Sequence, residues 1–171
     1  MRKVVLFIAS SLDGFIAEKN GGIGWLFSDA DYGYKKFFAS VDALVMGRKT
    51  YELAASFGEW PYGSKKCFVF TRKTGKFHDK RVMFSDSLVE LVGKLVKSRG
   101  KNIWLVGGGE IVSVLLNAGL VHEIIISIHP IILGSGIPLF SRLINRVKLK
   151  VKNQKSFKSG LVQIHYVVQK N

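Results

Sequence analysis

Six short apolar runs punctuate the chain: KVVLFIA (3–9), DALVMG (42–47), KCFVFT (66–71), RVMFS (81–85), NIWLVG (102–107) and HEIIISIHP (122–130). They are rich in β-branched and aromatic side chains and show little polar alternation, a pattern that predicts strands buried on both faces. Between several of them the apolar period changes to that of a helix. YGYKKFFASV (32–41) gathers Tyr34, Phe37, Phe38 and Val41 on one face. SLVELVGKLVKS (87–98) gathers Leu88, Leu91, Val92 and Leu95, with Ser87 placed to cap its start. GEIVSVLLNAG (109–119) gathers Ile111, Val114 and Leu115, with Gly119 as its stop. Strands alternating with helices predict an α/β layer fold around a mostly parallel sheet.

The tail reads differently. In residues 146–158, Lys148, Lys150 and Lys152 alternate with Val147, Leu149 and Val151, the period of a half-exposed strand with lysines on its wet face. A Lys- and Ser-rich turn near 156–160 then joins it to a second strand, so an antiparallel hairpin is expected at the sheet edge.

Composition narrows the class. The chain has 171 residues, 47% hydrophobic and 22% charged, which fits one folded domain and excludes a disordered chain. The single cysteine, Cys67, cannot form an internal disulfide and reads as a packing residue. The apolar run after Arg2-Lys3 is broken by Asp13-Gly14, so it reads as a buried first strand and not as a leader. No apolar stretch reaches the roughly 18 residues of a membrane span. A cytoplasmic protein without membrane contact is the expectation. The formal net charge of +14 raises nucleic acid, small phosphorylated ligands or a solvated basic face as explanations. The basic residues are dispersed, with weak clusters at 72–81 and 146–158, and the solvated face accounts for them best.

Ligands of open parallel sheets sit outside the carboxyl ends of the strands. Four places there carry candidate chemistry. The first is Gly107-Gly108-Gly109, at the end of a strand and the start of a helix. Unpaired amides at a helix start attract anions, and the absence of side chains lets a pyrophosphate lie against the main chain. A tight strand-to-helix turn explains the glycines equally well. Neither a Rossmann fingerprint nor a Walker loop is present. The second is MGRKTYE (46–52), where Gly47 ends a strand and Arg48 and Thr50 fall in a first helical turn. A cation there opposes the helix dipole unless it shares an anion with the amides. The third is FTRK (70–73), with Thr71 and Arg72 at a strand end. The fourth is the long glycine-rich segment 9–33, which carries Phe15, Ile23, Trp25 and Phe27 and closes with Asp29 and Asp31. One of these acids suffices to cap the helix, and a carboxyl facing an apolar pocket could relay a proton. His78, His122, His129 and His165 show no metal-ligand spacing, and His129 reads as structural.

Together, SLDGFIA, DALVMGRKTYE, FVFTR, IWLVGGGEI and HPIILGSGIPLF resemble the dihydrofolate reductase-like superfamily. The chain is most similar to the branch that holds the reductase domain of riboflavin biosynthesis and its stand-alone relatives. The motifs run in order over nearly the whole chain. The resemblance implies a three-layer α/β/α fold with an NADPH site. It places Gly107, Gly108 and Gly109 at the pyrophosphate, with a cis Gly107–Gly108 peptide, and Glu110 and Ile111 at the start of the helix above it. It implies that Gly47, Arg48 and Thr50 hold phosphates and that Thr71 and Arg72 face the adenosine 2′-phosphate. Ala9, Ile16 and Ala17 would flank the nicotinamide, and Asp13, Phe15 and Trp25 would lie near the substrate. LGSGIP (133–138), read locally as a turn into the edge hairpin, matches a motif near the ligand cleft.

The implied function is an NADPH-dependent reductase of the riboflavin-biosynthesis type, similar to 5-amino-6-(5-phosphoribosylamino)uracil reductase, passing hydride to a C=N or C=O bond of a pyrimidine- or pteridine-like substrate. Asp31 is the candidate proton relay, and a water held by Asp13 the alternative. Dihydrofolate reduction and nucleotide binding without turnover are the competing readings. Relatives of the riboflavin type are dimeric, so a homodimer is expected, and nucleic acid is not. Phe15 stands where riboflavin-type reductases commonly carry lysine, and 51–66 offers no folate-binding arginine. No zinc-deaminase ligands are present, so the expectation is a reductase domain alone.

Overall fold

The structure is a computed structural model and describes residues 1–73 and 78–169. Its elements run β1 (Val4–Ser10), β2 (Phe15–Ala17), α1 (Tyr34–Ala39), β3 (Val41–Gly47), α2 (Arg48–Ala55), β4 (Lys66–Phe70) and β5 (Val82–Ser85). There follow α3 (Leu88–Lys97), β6 (Asn102–Gly107), α4 (Gly109–Asn117), β7 (Glu123–Ile128), β8 (Ile137–Pro138), β9 (Leu149–Ser156) and β10 (Val162–Val168). The eight-stranded sheet has the order β5-β4-β3-β6-β1-β7-β10-β9. All pairs from β5 to β7 are parallel, and β10 pairs antiparallel with β7 and β9. The expected parallel sheet and terminal hairpin are both present. β2 and β8 form a separate two-stranded ribbon. Among the described residues, no helix is long and apolar enough to cross a membrane.

Strand alternation builds two cores, one on each face of the sheet. Val4, Leu6, Ala43, Val45, Ile103 and Leu105 face α3 and α4. Val5, Leu44, Met46 and Trp104 face the other way, toward Phe37 of α1 and Ala54 of α2. Leu6, Leu44 and Leu105 are fully buried. Each such side chain contributes about 1.5–3 kcal/mol through its burial.

Four local expectations change. In α4 the buried face is Ile111, Val112, Leu115 and Leu116, while Val114 is 42% exposed. The helix lies flat on the sheet and buries a broad stripe, which turns position 114 outward. β5 is an edge strand, so Met83 is exposed and not buried on both faces. β9 is the other edge, and all eight of its residues are exposed, Leu149 and Val151 included. Its apolar positions therefore lack the covered face that the alternation predicted. Ser87 occupies the N-cap position of α3 but makes no capping bond, because its hydroxyl donates to Asp86 Oδ1 at 3.0 Å.

The helix starts matter most for the site. β3 and β6 are neighbours, with Met46 in register with Gly107. α2 leaves the end of β3 on one face of the sheet and α4 leaves the end of β6 on the other. That divergence is a topological switch point, where the open ends of two helices and the gap between them face the same crevice.

Candidate functional site

The carboxyl ends of the strands form one continuous row, with Thr71 after β4, Gly47 at β3, Gly107 at β6, Ala9 and Ser10 at β1, and Ser127 at β7. Sequence reasoning placed candidates at most of these ends separately. The sheet order brings them side by side.

At the switch point the three glycines have three different reasons. Gly107 has a φ of +135°, which strongly favours a residue without Cβ. The Gly107–Gly108 peptide is cis. At Gly109 a methyl group would collide with the Pro138 carbonyl and stand 3.0 Å from Leu139 O. This glycine is therefore required by the chain folded against it. LGSGIP accordingly does more than turn, since Ile137 and Pro138 pair with Ala17 and Phe15 to form the small ribbon, and Pro138–Leu139 seals the back of the glycine loop. Gly108 differs from both. Its backbone is ordinary extended chain at φ −73° and ψ −177°, and the nearest atom to a methyl group there is Thr50 Oγ1, at 3.7 Å. Nothing in the protein packs tightly on that surface. Gly108 thus presents bare main chain beside the first turn of α2, as an approaching anion requires.

Arg48 opens α2 and is bonded to Glu52 at 2.5 Å. This exposed i,i+4 pair turns the guanidinium along the helix, toward Glu52. Thr71 is buried, its N–H donates to Ser85 O at 2.9 Å, and its hydroxyl accepts the Lys73 N–H at 3.2 Å. Arg72 is exposed. Residues 74–77 of the expected basic cluster lie outside the described residues. Glu110 is exposed in the first turn of α4, whereas Ile111 is core, its Cγ2 3.6 Å from where a Cβ on Gly47 would lie.

A second feature adjoins this row. A cleft of about 380 Å³ opens at the ends of β1 and β7. Phe7, Phe27, Tyr32 and Tyr34 supply aromatic walls, Ala9 and Leu161 a small apolar floor, and Asp31, Ser127 and His129 polar groups. That volume and mixture suit a flat small molecule. The loop that roofs the cleft is latched to the sheet. His129 is buried, its Nε2 accepts the Phe27 N–H at 3.2 Å, and its Nδ1 lies 3.3 Å from Ser127 O. Nδ1 carries the proton in that arrangement. Burial pushes the imidazole pKa below its usual range, so the ring is neutral. The rings of Trp25 and Phe27 pack on it at 5.3 and 4.9 Å. Gln163 adds a second latch, donating to Tyr32 O at 3.0 Å and to Ser127 Oγ at 2.9 Å.

The predicted acids part company. Asp31 lines the cleft, and its two oxygens accept the Gly33 N–H at 3.1 Å and the Lys35 N–H at 3.0 Å. It caps the helix and faces the ligand space at once. Asp13 is spent on loop structure, accepting from Ser11 Oγ at 2.6 Å, Gly134 N at 2.8 Å and Leu133 N at 3.2 Å. The Ser11 bond and then the two backbone donors hold its carboxyl below the usual range, against some desolvation. Phe15 lies against Gly136 in the small ribbon, with Ile16 and Ala17 beside it, and Trp25 stands behind His129. The sequence did not single out Ser127 or Gln163, and it read His129 as structural. The strand-end rule applied to β7 points to Ser127 and His129. Gln163 carries no local signal, because only the antiparallel register with Ser127 brings it there. Among the described residues, no group of three or more His, Cys, Asp or Glu is arranged to hold a metal ion.

Known proteins share this architecture. YwjB of Bacillus subtilis, an uncharacterized protein, is 41% identical over 171 residues, covering 97% of this chain and 98% of its own. The crystal structure of a putative riboflavin biosynthesis protein from Shewanella sp. PV-4 superposes with a TM-score of 0.87 at 31% identity, over 98% of this chain and 99% of that one. The fold also matches, at a TM-score of 0.76 and 19% identity, a diaminohydroxyphosphoribosylaminopyrimidine deaminase/5-amino-6-(5-phosphoribosylamino)uracil reductase from Thermotoga maritima, covering 98% of this chain and 57% of that one. The RibD C-terminal domain model matches residues 2–163. With the three-layer sheet, the glycine loop at its switch point and this match over nearly its whole length, the chain belongs to the RibD C-terminal domain family.

Proposed function

We propose that the protein is an NADPH-dependent reductase of a small heterocycle. The observation that carries this reading is Gly108, a bare stretch of main chain between two helix starts where an added methyl group would meet only Thr50 Oγ1, at 3.7 Å. In the reading, amides of Gly108 and Gly109 and the Thr50 hydroxyl hold the pyrophosphate. Gly47 admits it to the start of α2, with Glu110 and Ile111 continuing the helix from the glycine loop. Arg48 and Arg72 neutralise phosphate charge, and Thr71 closes the adenosine end. NADPH, when bound, supplies the hydride. Ala9, at the floor of the cleft, and Ile16–Ala17 set the depth of the nicotinamide and exclude water. The aromatic walls hold the acceptor ring in plane, which is most of what the protein contributes to a hydride transfer. Asp31 relays from solvent the proton that the acceptor takes up with the hydride. Its two backbone donors fix its direction. Asp13 fixes the loop between β1 and β2.

Support comes from the family match and from the juxtaposition of anion-binding ends with an aromatic cleft. Calorimetric titration with NADPH and NADH tests it. Micromolar NADPH binding, about −8 kcal/mol, with clear preference over NADH, is expected. Arg72→Ala should erase most of that preference, and Gly108→Val should weaken both nucleotides. Absence of binding by either nucleotide refutes the reading.

A further inference from the structure

The cleft beside the nucleotide crevice contains aromatic rings, hydroxyls and one carboxylate. Among the described residues, no lysine or arginine lines it. That is unexpected in a chain of net charge +14. Basic residues are abundant nearby in sequence, with Lys35 and Lys36 on α1, yet the position that faces the cleft is Asp31. Several of the other polar groups are already engaged. Both nitrogens of His129 have partners, Tyr32 Oη is bonded to Asp29 and Ser159, and Ser127 Oγ accepts from Gln163. A phosphate in this space would meet a fixed negative charge and no cation.

We infer that the substrate of this site is a planar heterocycle without a phosphate group, held by Phe7, Phe27 and Tyr34 and carrying a hydrogen-bond donor toward Asp31. The inference rests on the reductase reading for the identity of the cleft as a substrate site. It separates this protein from an enzyme acting on a phosphoribosyl-pyrimidine. Such an enzyme needs a cation wherever the ester ends.

A matched probe pair tests it. Riboflavin and its 5′-phosphate, FMN, share one ring system and differ by the phosphate, and lumazine supplies the ring without any side chain. Their intrinsic fluorescence reports binding to the full-length protein, measured with and without saturating NADP⁺. Riboflavin or lumazine should bind at least tenfold more tightly than FMN. In Asp31→Asn, which keeps a good helix cap, the penalty on FMN should shrink several-fold while lumazine affinity changes less. Equal or tighter binding of FMN overturns the inference, as does binding of neither uncharged ring at millimolar concentration. A protein that binds NADPH and prefers FMN loses this inference alone. A protein that binds no nicotinamide nucleotide loses the reductase reading, whatever its ring preference.

Discussion

Gly108 and Gly109 are adjacent, and in the proposed function the side-chain-free face of the first serves the nucleotide while that of the second serves packing. Replacing each with alanine separates packing from binding. At Gly109 the new methyl group meets the Pro138 carbonyl and lies 3.0 Å from Leu139 O, both backbone atoms of a segment that is itself hydrogen-bonded through Leu139 N to Gly14 O. Neither side can yield without moving the β2–β8 ribbon. Overpacking of that kind costs about 1–3 kcal/mol, only partly offset by up to about 1 kcal/mol from alanine's better helix propensity. For a domain of this size each kcal/mol moves the melting temperature by roughly 2–4 °C. Gly109→Ala should therefore melt several degrees below the parent protein. At Gly108 the nearest neighbour would be Thr50 Oγ1 at 3.7 Å, ordinary contact, and the backbone angles suit any residue. Gly108→Ala should melt within about 2 °C of the parent and lose at least tenfold in NADPH affinity, about 1.4 kcal/mol. Differential scanning calorimetry and nucleotide titration on the two variants decide the matter. A Gly109→Ala protein as stable as the parent, or a Gly108→Ala protein that is destabilised instead, would show that the two roles have been misassigned.

Other consequences follow from particular groups. Because burial depresses the His129 pKa below 6.5, its contribution to stability is complete above that pH and declines as the pH falls and the unfolded chain takes up the proton first. His129→Phe should leave the Phe27 N–H unpaired at a cost of about 1–3 kcal/mol and flatten the stability profile between pH 7 and 5, which thermal melts across that range would detect. At the opposite end of the sheet, Glu123 accepts from Lys3 at 2.6 Å, His165 at 2.7 Å and Lys152 at 3.3 Å. Burial opposes ionisation there, but these partners prevail and bring its pKa down to about 2. Its contribution is thus present above about pH 4.5 and lost toward pH 2, and Glu123→Gln should cost about 1–3 kcal/mol at pH 7 in urea unfolding while removing that acid limb. Glu52→Gln frees Arg48 from an exposed pair worth at most about 1 kcal/mol, so NADPH should bind a few-fold more tightly, most clearly at low salt.

Much of the fold was legible in the linear sequence because strand and helix declare themselves through local periodicity. The runs at 3–9, 42–47 and 102–107 could bury both faces only as inner strands, and they are β1, β3 and β6. The glycine triplet, Arg48 and Thr71 were legible as strand-end chemistry for the same reason, since each lies within a few residues of a recognisable boundary. The cleft was not. Phe7, Asp31, Ser127 and Gln163 are remote in sequence, and the order of the sheet, with β10 turned back against β7, makes them neighbours. Side-chain pattern also could not tell Gly108 from Gly109, because the difference lies in what approaches them. Pro138 arrives from 29 residues away and closes one, while the other would meet Thr50 Oγ1 in ordinary contact. Exposure of β5 and β9 was likewise decided by strand order, since an edge strand has the same periodicity as a covered one until its neighbours are known. What each segment becomes is thus a local property of its residues, and what it touches, including whether a glycine serves packing or a ligand, is fixed only when distant segments compete for the same space.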